Sequence, residues 1–222
     1  LLSCRPSLNP QHNMMCRLIR AVSEEVRTAC ECRFVPPGTE IDVVVSGGGM
    51  RGYYVTGAYI TLQQLARRGD IKVVRYGGTS AGAWCSIFQA CDMDPIDWIE
   101  TFYQTRAHSD KKLLDAYHLI LPRMILPTLP ADAYKRCSGR CHISISVLRG
   151  CRVRNMIVSE FSSNADLVDA CIASSNIPFV ATKGWGRRFR GEIVLDGGCT
   201  NNLPTFNDSK RPQLLFDLSK VA

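Results

Sequence analysis

The sequence lacks any hydrophobic run long enough to cross a membrane. A spanning helix needs about 18 consecutive apolar residues, and no stretch of the chain reaches that length. The first residues also lack the basic start and long apolar run of a signal peptide. Internal repeats and low-complexity tracts are absent, which argues against solenoids and disordered linkers. We therefore expect one folded domain that is soluble or peripheral to a membrane.

Histidine and acidic residues are also few. The chain has four histidines, and 20 Asp and Glu against 27 Lys and Arg give a formal charge of +7. This excess predicts a surface that attracts anions, such as phosphate groups or an anionic membrane. The basic residues occur in twos and threes without a longer run, which argues against nucleic-acid binding. Nucleic acid is therefore not expected as a partner.

Cysteine, in contrast, is abundant, with eleven residues, an odd number. Cys85, Cys91 and Cys171 lie among apolar residues, where a free thiol packs as a small hydrophobic group. This pattern favours a reduced, intracellular compartment. Metal binding is the alternative for two groups, Cys137 with Cys141 and His142, and Cys30 with Cys32, but neither group has a partner pair at zinc-finger spacing. We expect neither a metal nor a cofactor.

Short β-branched runs alternate with helical periodicity along the chain. Residues 41–45 and 71–76 predict buried strands, and each is followed by a glycine turn and a helix. This repeated order is typical of a mainly parallel sheet with helices on both faces. We therefore predict an α/β fold of three layers, α/β/α, with its active site at the carboxyl ends of the strands.

Two segments stand apart from this pattern. An amphipathic helical spacing predicts that residues 1–40 form an N-terminal helical segment, before a catalytic domain of residues 41–222. Residues 95–137 have a helical pattern that prolines interrupt. This second segment is predicted to be a helical insertion that could act as a lid, with ordinary core helices as the alternative.

The motif Gly78-Thr79-Ser80-Ala81-Gly82 is a G-x-S-x-G between a predicted strand and a predicted helix. This is the context of a nucleophile elbow, in which a strained turn lifts the serine hydroxyl above the sheet. Gly78 and Gly82 keep the turn free of side chains that would collide with its neighbours. The amide of Ala81 lies at the positive end of the helix and could bind an oxyanion. Ser80 is the candidate nucleophile, and a plain glycine-rich turn is the alternative.

A second glycine cluster, GGGMRG at residues 47–52, follows the first predicted strand. Consecutive glycines expose backbone amides that bind anions. The candidates for an oxyanion hole are therefore Gly47, Gly48 and Gly49, with Arg51 fixing the loop. The spacing also fits the G-x-G-x-x-G of a dinucleotide-binding fold, but that fold needs an acidic residue at the end of the second strand. A serine turn stands there, so dinucleotide binding is the weaker alternative.

The acid-base partner of the serine is the least conventional feature. In α/β hydrolases an acid and then a histidine follow the nucleophile, but this chain has no histidine after His142. Asp196, in Asp196-Gly197-Gly198, follows a predicted strand at the sheet edge where Ser80 is also expected. An Asp-Gly-Gly is by itself a common turn. Beside the other motifs, Asp196 is the candidate base.

Together the three motifs resemble, in order, the signatures of the patatin-like phospholipases, a family of lipid acyl hydrolases with a Ser-Asp dyad. Residues 173–178, ASSNIP, and Asn202-Leu203-Pro204 also resemble family stretches. The resemblance covers residues 41 to about 204. The sequence around residues 142–146 and 189–191 resembles the animal triacylglycerol-lipase branch of the family more than the plant storage patatins.

The resemblance implies a serine lipid acyl hydrolase with Ser80 as nucleophile, Asp196 as base and no cofactor. The motif glycines that it carries over are Gly52, Gly78, Gly82, Gly197 and Gly198. The expected substrate is a phospholipid or acylglycerol ester at a membrane or lipid-droplet surface. A catalytically silent lipid- or protein-binding module on the same fold is the alternative.

Overall fold

The structure is a computed structural model. It describes residues 36–97, 99–100, 121–181 and 184–220. Most of the predicted N-terminal helical segment and the middle of the predicted helical insertion lie outside these ranges, so both stay predictions. The domain limits stay predictions as well.

The described residues form a seven-stranded sheet with helices. Its strands are β1 (Thr39–Val45), β2 (Ile71–Thr79), β3 (Cys141–Arg149), β4 (Arg152–Val158), β5 (Arg187–Phe189), β6 (Glu192–Asp196) and β7 (Gln213–Phe216). The helices are α1 (Val55–Arg67), α2 (Ala81–Ala90), α3 (Leu121–Ile125), α4 (Ala133–Cys137) and α5 (Asn164–Ser174). Short 3-10 helices are Gly49–Tyr54, Gly197–Cys199 and Leu218–Lys220.

Strands β1, β2 and β6 and helices α1 and α2 lie where the sequence predicts them. Helix α5 begins at Asn164, where the Ser163 hydroxyl accepts a hydrogen bond from the Asp166 amide at 3.1 Å. Strand β5 is missed, since a three-residue strand leaves too short a pattern. Strand β2 is longer than predicted because Gly77 and Gly78 continue its pairing with β1 and β3.

The centre of the sheet is parallel. Strands β7, β1, β2 and β3 lie side by side in that order and pair in parallel. Strands β4 and β6 pair antiparallel with β3, and β5 pairs antiparallel with β6. The predicted α/β class with a mainly parallel central sheet is therefore confirmed.

Strands β2 and β6 meet end to end along the same side of β3. Thr79, the last residue of β2, pairs with Ser144, and Asp196, the last residue of β6, pairs with the next residue, Ile145. The opposite side of β3 pairs with β4 along this whole stretch. Because β2 runs parallel to β3 and β6 runs antiparallel to it, their carboxyl ends point at each other.

The two faces of the sheet differ in what covers them. Val43, Val45, Ile143 and Ile145 belong to one buried apolar cluster with residues of the described helices, Trp84 of α2 among them. Side chains that alternate with these point to the opposite face, where Ser144 donates a hydrogen bond to the Asn201 carbonyl at 2.9 Å. A loop of residues 199–212 thus lies against this second face.

Five of the seven described cysteines are buried, Cys85, Cys91 and Cys171 among them, and all seven are free thiols. The predicted packing of these thiols in the core is therefore confirmed. In the ranges that the structure describes, no group of three His, Cys, Asp or Glu side chains is placed to hold a metal ion.

A buried carboxylate ties the loop to the sheet. Asp42 of β1 is fully buried. It accepts hydrogen bonds from Ser209 at 2.6 Å, Arg75 at 3.1 Å and Arg211 at 3.0 Å. Burial raises the pKa of Asp42, but these three hydrogen bonds outweigh burial and lower the pKa overall. The ionised form is therefore the one that stabilises the fold.

We predict that Asp42→Ala lowers the free energy of unfolding by about 3 to 5 kcal/mol, because it leaves two arginines without their buried partner. Asp208→Ala is the matched control, since Asp208 also pairs with Arg75 but its side chain is 76% exposed. Its loss should be much smaller. Because the pKa of Asp42 is lowered, its contribution is present at neutral pH and is lost as the pH falls through that pKa. Urea unfolding that gives equal losses for the two variants would contradict this account.

Candidate active site

Ser80 lies in a strained turn between β2 and α2. Its φ of 52° is in the left-handed region, which is uncommon for a residue other than glycine and costs about 1 to 3 kcal/mol. Its amide donates a hydrogen bond to the Ser174 hydroxyl at 2.8 Å, and its carbonyl accepts one from the Ala83 amide at 3.0 Å. The predicted elbow geometry is therefore present, and these bonds hold its backbone.

The glycines on either side of Ser80 are required by close packing. A Cβ at Gly78 would lie 2.3 Å from the Gly82 carbonyl oxygen, and one at Gly82 would lie 2.1 Å from that of Val45. Real side chains do not approach backbone so closely, so neither position has room for alanine. Gly52 differs, because a Cβ there would make an ordinary 3.4 Å contact with Ala81.

Asp196 reaches Ser80 because β2 and β6 meet end to end. The carboxyl group accepts a hydrogen bond from the Gly198 amide at 2.7 Å, and the Ser80 hydroxyl lies near enough to it to lower its pKa. Its residue is 7% exposed. Burial raises the pKa of Asp196, and the Gly198 amide and the Ser80 hydroxyl only partly oppose that effect. The structure therefore brings the predicted nucleophile and the predicted base close together, and burial makes the carboxylate more basic than usual.

Of the four histidines, His142 alone lies in the described ranges. Its ring packs edge-on against Phe206 at 4.9 Å, on the face of the sheet that the loop covers. Burial lowers the pKa of His142, and Arg75 lowers it further. None of its described contacts is with Ser80 or Asp196, so His142 is a core histidine here. His12, His108 and His118 lie outside the described residues.

The first glycine loop passes directly beside the serine. A Cβ built on Gly47 would lie 3.2 Å from the Ser80 Cβ. The Gly47 amide is already engaged, because it donates to the Asn202 side-chain oxygen at 3.1 Å and to the Asn202 carbonyl at 3.3 Å. Among the described residues, the amides of Gly48 and Gly49 have no such acceptor. These two amides therefore have no partner among the described residues.

The C-terminal segment braces the same loop. The Arg51 amide closes a turn onto the Gly48 carbonyl, and the Arg51 side chain donates to the Leu218 carbonyl at 3.4 Å. A Cβ at Gly48 would lie 2.6 Å from the Leu218 Cβ. The Ser46 hydroxyl accepts a hydrogen bond from the Leu218 amide at 2.7 Å. Arg51 therefore connects the loop to Leu218, and its role in fixing the loop stays a prediction.

Two residues of the site have no role assigned from the sequence. Ser174 is completely buried. Its hydroxyl accepts a hydrogen bond from the Ser80 amide and donates one to the Ser144 carbonyl at 2.7 Å. The Asn202 side chain accepts a hydrogen bond from the Gly47 amide. It also lies beside Gly198, since a Cβ built on Gly198 would be 3.1 Å from the Asn202 side-chain oxygen. Both residues occur in the stretches that resemble the family pattern, and this resemblance is the one sequence signal that could have pointed to them. Their partners are distant in the chain, so only the fold reveals what they hold.

Residues 43–207 match the profile of a family described as patatin-like phospholipase. An omega-hydroxyceramide transacylase of Mus musculus is 29% identical over 76% of this chain and 28% of that protein. The patatin-like phospholipase domain-containing protein 2 of Rattus norvegicus is 30% identical over 77% of this chain and 36% of that protein. A 1-acylglycerol-3-phosphate O-acyltransferase of Mus musculus is 27% identical over 73% of this chain and 40% of that protein.

The chain therefore spans about a third of the length of these relatives. Among solved structures, that of VipD from Legionella pneumophila superposes with a TM-score of 0.47 at 16% sequence identity. The superposition covers 82% of this chain and 50% of that chain.

The raised pKa of Asp196 generates a stability prediction. A carboxyl whose pKa is raised by folding stabilises the fold most when protonated, and this contribution is lost as the pH rises through its folded pKa. We therefore predict that Asp196→Asn raises the melting temperature at neutral pH, by about 2 to 4 °C for each kcal/mol gained. The gain should shrink as the pH is lowered.

Asp42→Asn is the matched control, since the pKa of that buried carboxyl is lowered and the change should destabilise at the same pH. Thermal unfolding of both variants between acidic and neutral pH gives the comparison. A loss of stability for Asp196→Asn at neutral pH would mean that its buried charge is compensated.

Proposed function

Because the chain belongs to the patatin-like phospholipase family, we propose that it is a serine lipid acyl hydrolase that cleaves carboxylic esters of phospholipids or acylglycerols. The observation that carries the proposal is the placement of Ser80 next to the buried carboxyl of Asp196, where β2 and β6 meet end to end. The matched family region contains both residues and the first glycine loop.

In the proposed first step, the Asp196 carboxylate accepts the proton of the Ser80 hydroxyl while the serine oxygen attacks the ester carbonyl carbon. An ordinary carboxylate, with a pKa of about 4, is a weak base for this task. Burial of Asp196 raises its pKa, which supports the role because it narrows the difference in basicity between the two groups.

We propose that the amides of Gly48 and Gly49 hold the oxyanion that this attack creates, with the amide of Ala81 as a third donor. The free state of the two glycine amides supports this assignment. Gly47 has a different proposed part, because its amide is occupied by Asn202. It allows the loop to pass close to Ser80, and Arg51 holds the loop in place through Leu218.

The tetrahedral intermediate then collapses to an acyl-enzyme on Ser80. Asp196 returns its proton to the departing alcohol, which leaves the carboxylate ready to act again. Water, deprotonated by Asp196, attacks the acyl-enzyme, and Asp196 passes the proton to the departing Ser80 oxygen, which releases a fatty acid and restores the free serine. Two of the relatives are named transacylase and acyltransferase. These names favour a second outcome, in which the hydroxyl of another lipid takes the acyl group in place of water.

We also propose that the protein works at the surface of a membrane or a lipid droplet. The formal charge of +7 supports attraction to anionic headgroups. Across the part of the chain that the structure describes, no helix is long and apolar enough to cross a bilayer. The proposed binding to the lipid surface is peripheral and weakens as the salt concentration rises.

We predict that Ser80 is labelled covalently by a fluorophosphonate, and that Ser80→Ala abolishes both labelling and hydrolysis of a short-chain nitrophenyl ester. The physical reason is that Ser80 lies in a strained turn beside a buried carboxylate that could take its proton. Ser162→Ala, which removes an exposed hydroxyl before α5, is the control and should label like wild type. Labelling that persists in Ser80→Ala would place the nucleophile elsewhere. A wild-type protein that neither labels nor hydrolyses esters would favour a catalytically silent binding module.

A further inference from the structure

Four large apolar side chains are exposed close together in the segment after α5. Ile177, Phe179, Val180 and Trp185 are exposed by 42%, 59%, 46% and 71%. We call these four residues the aromatic surface. Apolar side chains grouped at the surface in this way mark interaction sites, whereas single ones need no explanation.

The aromatic surface is an ordered structure with a strained backbone. The rings of Phe179 and Trp185 pack edge-on with centroids 4.7 Å apart. The Phe179 amide donates a hydrogen bond to the Gly184 carbonyl at 3.1 Å. Phe179 has a φ of 60°, in the left-handed region that a bulky residue rarely adopts. This strain presents a ring to solvent, so core packing does not explain it.

Both ends of the aromatic surface are attached to β6, the strand that ends in Asp196. At one end, the Asn176 carbonyl accepts a hydrogen bond from the Asp196 amide at 2.7 Å, and its side chain donates to the Val194 carbonyl at 3.0 Å. At the other end, Gly186 packs on β6, since a Cβ there would lie 3.1 Å from the Leu195 side chain. The aromatic surface therefore adjoins the candidate active site.

The charge of this segment is one-sided. No acidic residue occurs between Asp169 and Glu192, a stretch that contains one lysine and three arginines. Arg187 and Arg190 pair with acidic residues of α5, and Arg188 is exposed. Aromatic rings flanked by basic residues fit the boundary between lipid headgroups and acyl chains, where the rings are partly buried and the cations meet anionic headgroups.

We propose that the aromatic surface docks the protein on a lipid surface with anionic headgroups, with Phe179 and Trp185 entering the headgroup region. The inference rests on the proposed function, because a site for lipid esters works where its substrates are held. Docking through this segment places β6, and with it Asp196, next to the lipid. A second copy of the chain or a protein partner could also contact the apolar residues. The basic residues beside them, however, favour an anionic lipid surface over either of these.

The test uses the full chain and vesicles of phosphatidylcholine, with and without phosphatidylserine. The variant combines Phe179→Asn, which suits the left-handed backbone, with Trp185→Ser. We expect its affinity for the mixed vesicles, measured by co-sedimentation, to fall about tenfold or more. The reason is that two exposed aromatic rings are no longer available to enter the lipid. The tryptophan fluorescence of the wild type should shift to shorter wavelength on binding, and this shift should be lost in the variant.

The matched control combines Leu214→Ser with Leu215→Ser, which removes two side chains exposed by 39% and 46% on β7, at the opposite edge of the parallel strands. Its vesicle binding should equal that of the wild type. Equal loss in both double variants, or no loss in the Phe179 and Trp185 variant, would overturn the proposal. A wild-type dimer that the variant dissociates, without vesicle binding, would also overturn it.

Failure of this inference is distinguishable from failure of the proposed function. Ser80→Ala should bind vesicles like the wild type, because docking does not need the nucleophile. Vesicle binding without any ester hydrolysis by the wild type would contradict the proposed function and leave the docking surface standing. Ester hydrolysis with vesicle binding that does not depend on Phe179 and Trp185 would do the reverse.

Discussion

The candidate site depends on two strands that run toward each other along one side of β3. Main-chain hydrogen bonds fix Thr79 opposite Ser144 and Asp196 opposite Ile145, so the ends of β2 and β6 are held one residue apart. Neither strand can shift by a residue without turning its buried side chains to the wrong face. The serine and the carboxylate are therefore positioned by the sheet itself, before any substrate binds.

This arrangement is unfavourable for the local backbone and for the buried charge. Ser80 adopts a left-handed φ, and burial raises the pKa of Asp196. Ser174 and Asn202 compensate, because each joins a loop of the site to a distant part of the chain through buried or half-buried hydrogen bonds. Strain of this kind persists in proteins where the surroundings over-determine the conformation, and such places cluster at functional sites.

Much of this could be predicted from the sequence, because the relevant signals are local. The β-branched runs marked the strands, and G-x-S-x-G between a strand and a helix marked the elbow. What remained hidden depends on pairing between distant segments. The sequence indicated that Ser80 and Asp196 both follow strands, but it did not indicate that these strands approach from opposite directions. Nothing in the sequence distinguishes the amide of Gly47 from its neighbours, but in the fold it donates a hydrogen bond to Asn202, far along the chain.

The identity of the base is the most direct test of the proposed dyad. If Asp196 accepts the serine proton itself, Asp196→Asn should lower kcat by a factor on the order of 10³. Replacing each of His12, His108, His118 and His142 in turn by Gln should then leave kcat within about a few-fold of wild type. In a triad, Asp196 would only orient an imidazole, and one of these four changes would be as damaging as loss of the nucleophile. A single histidine variant that folds normally but no longer turns over a soluble ester would contradict the dyad.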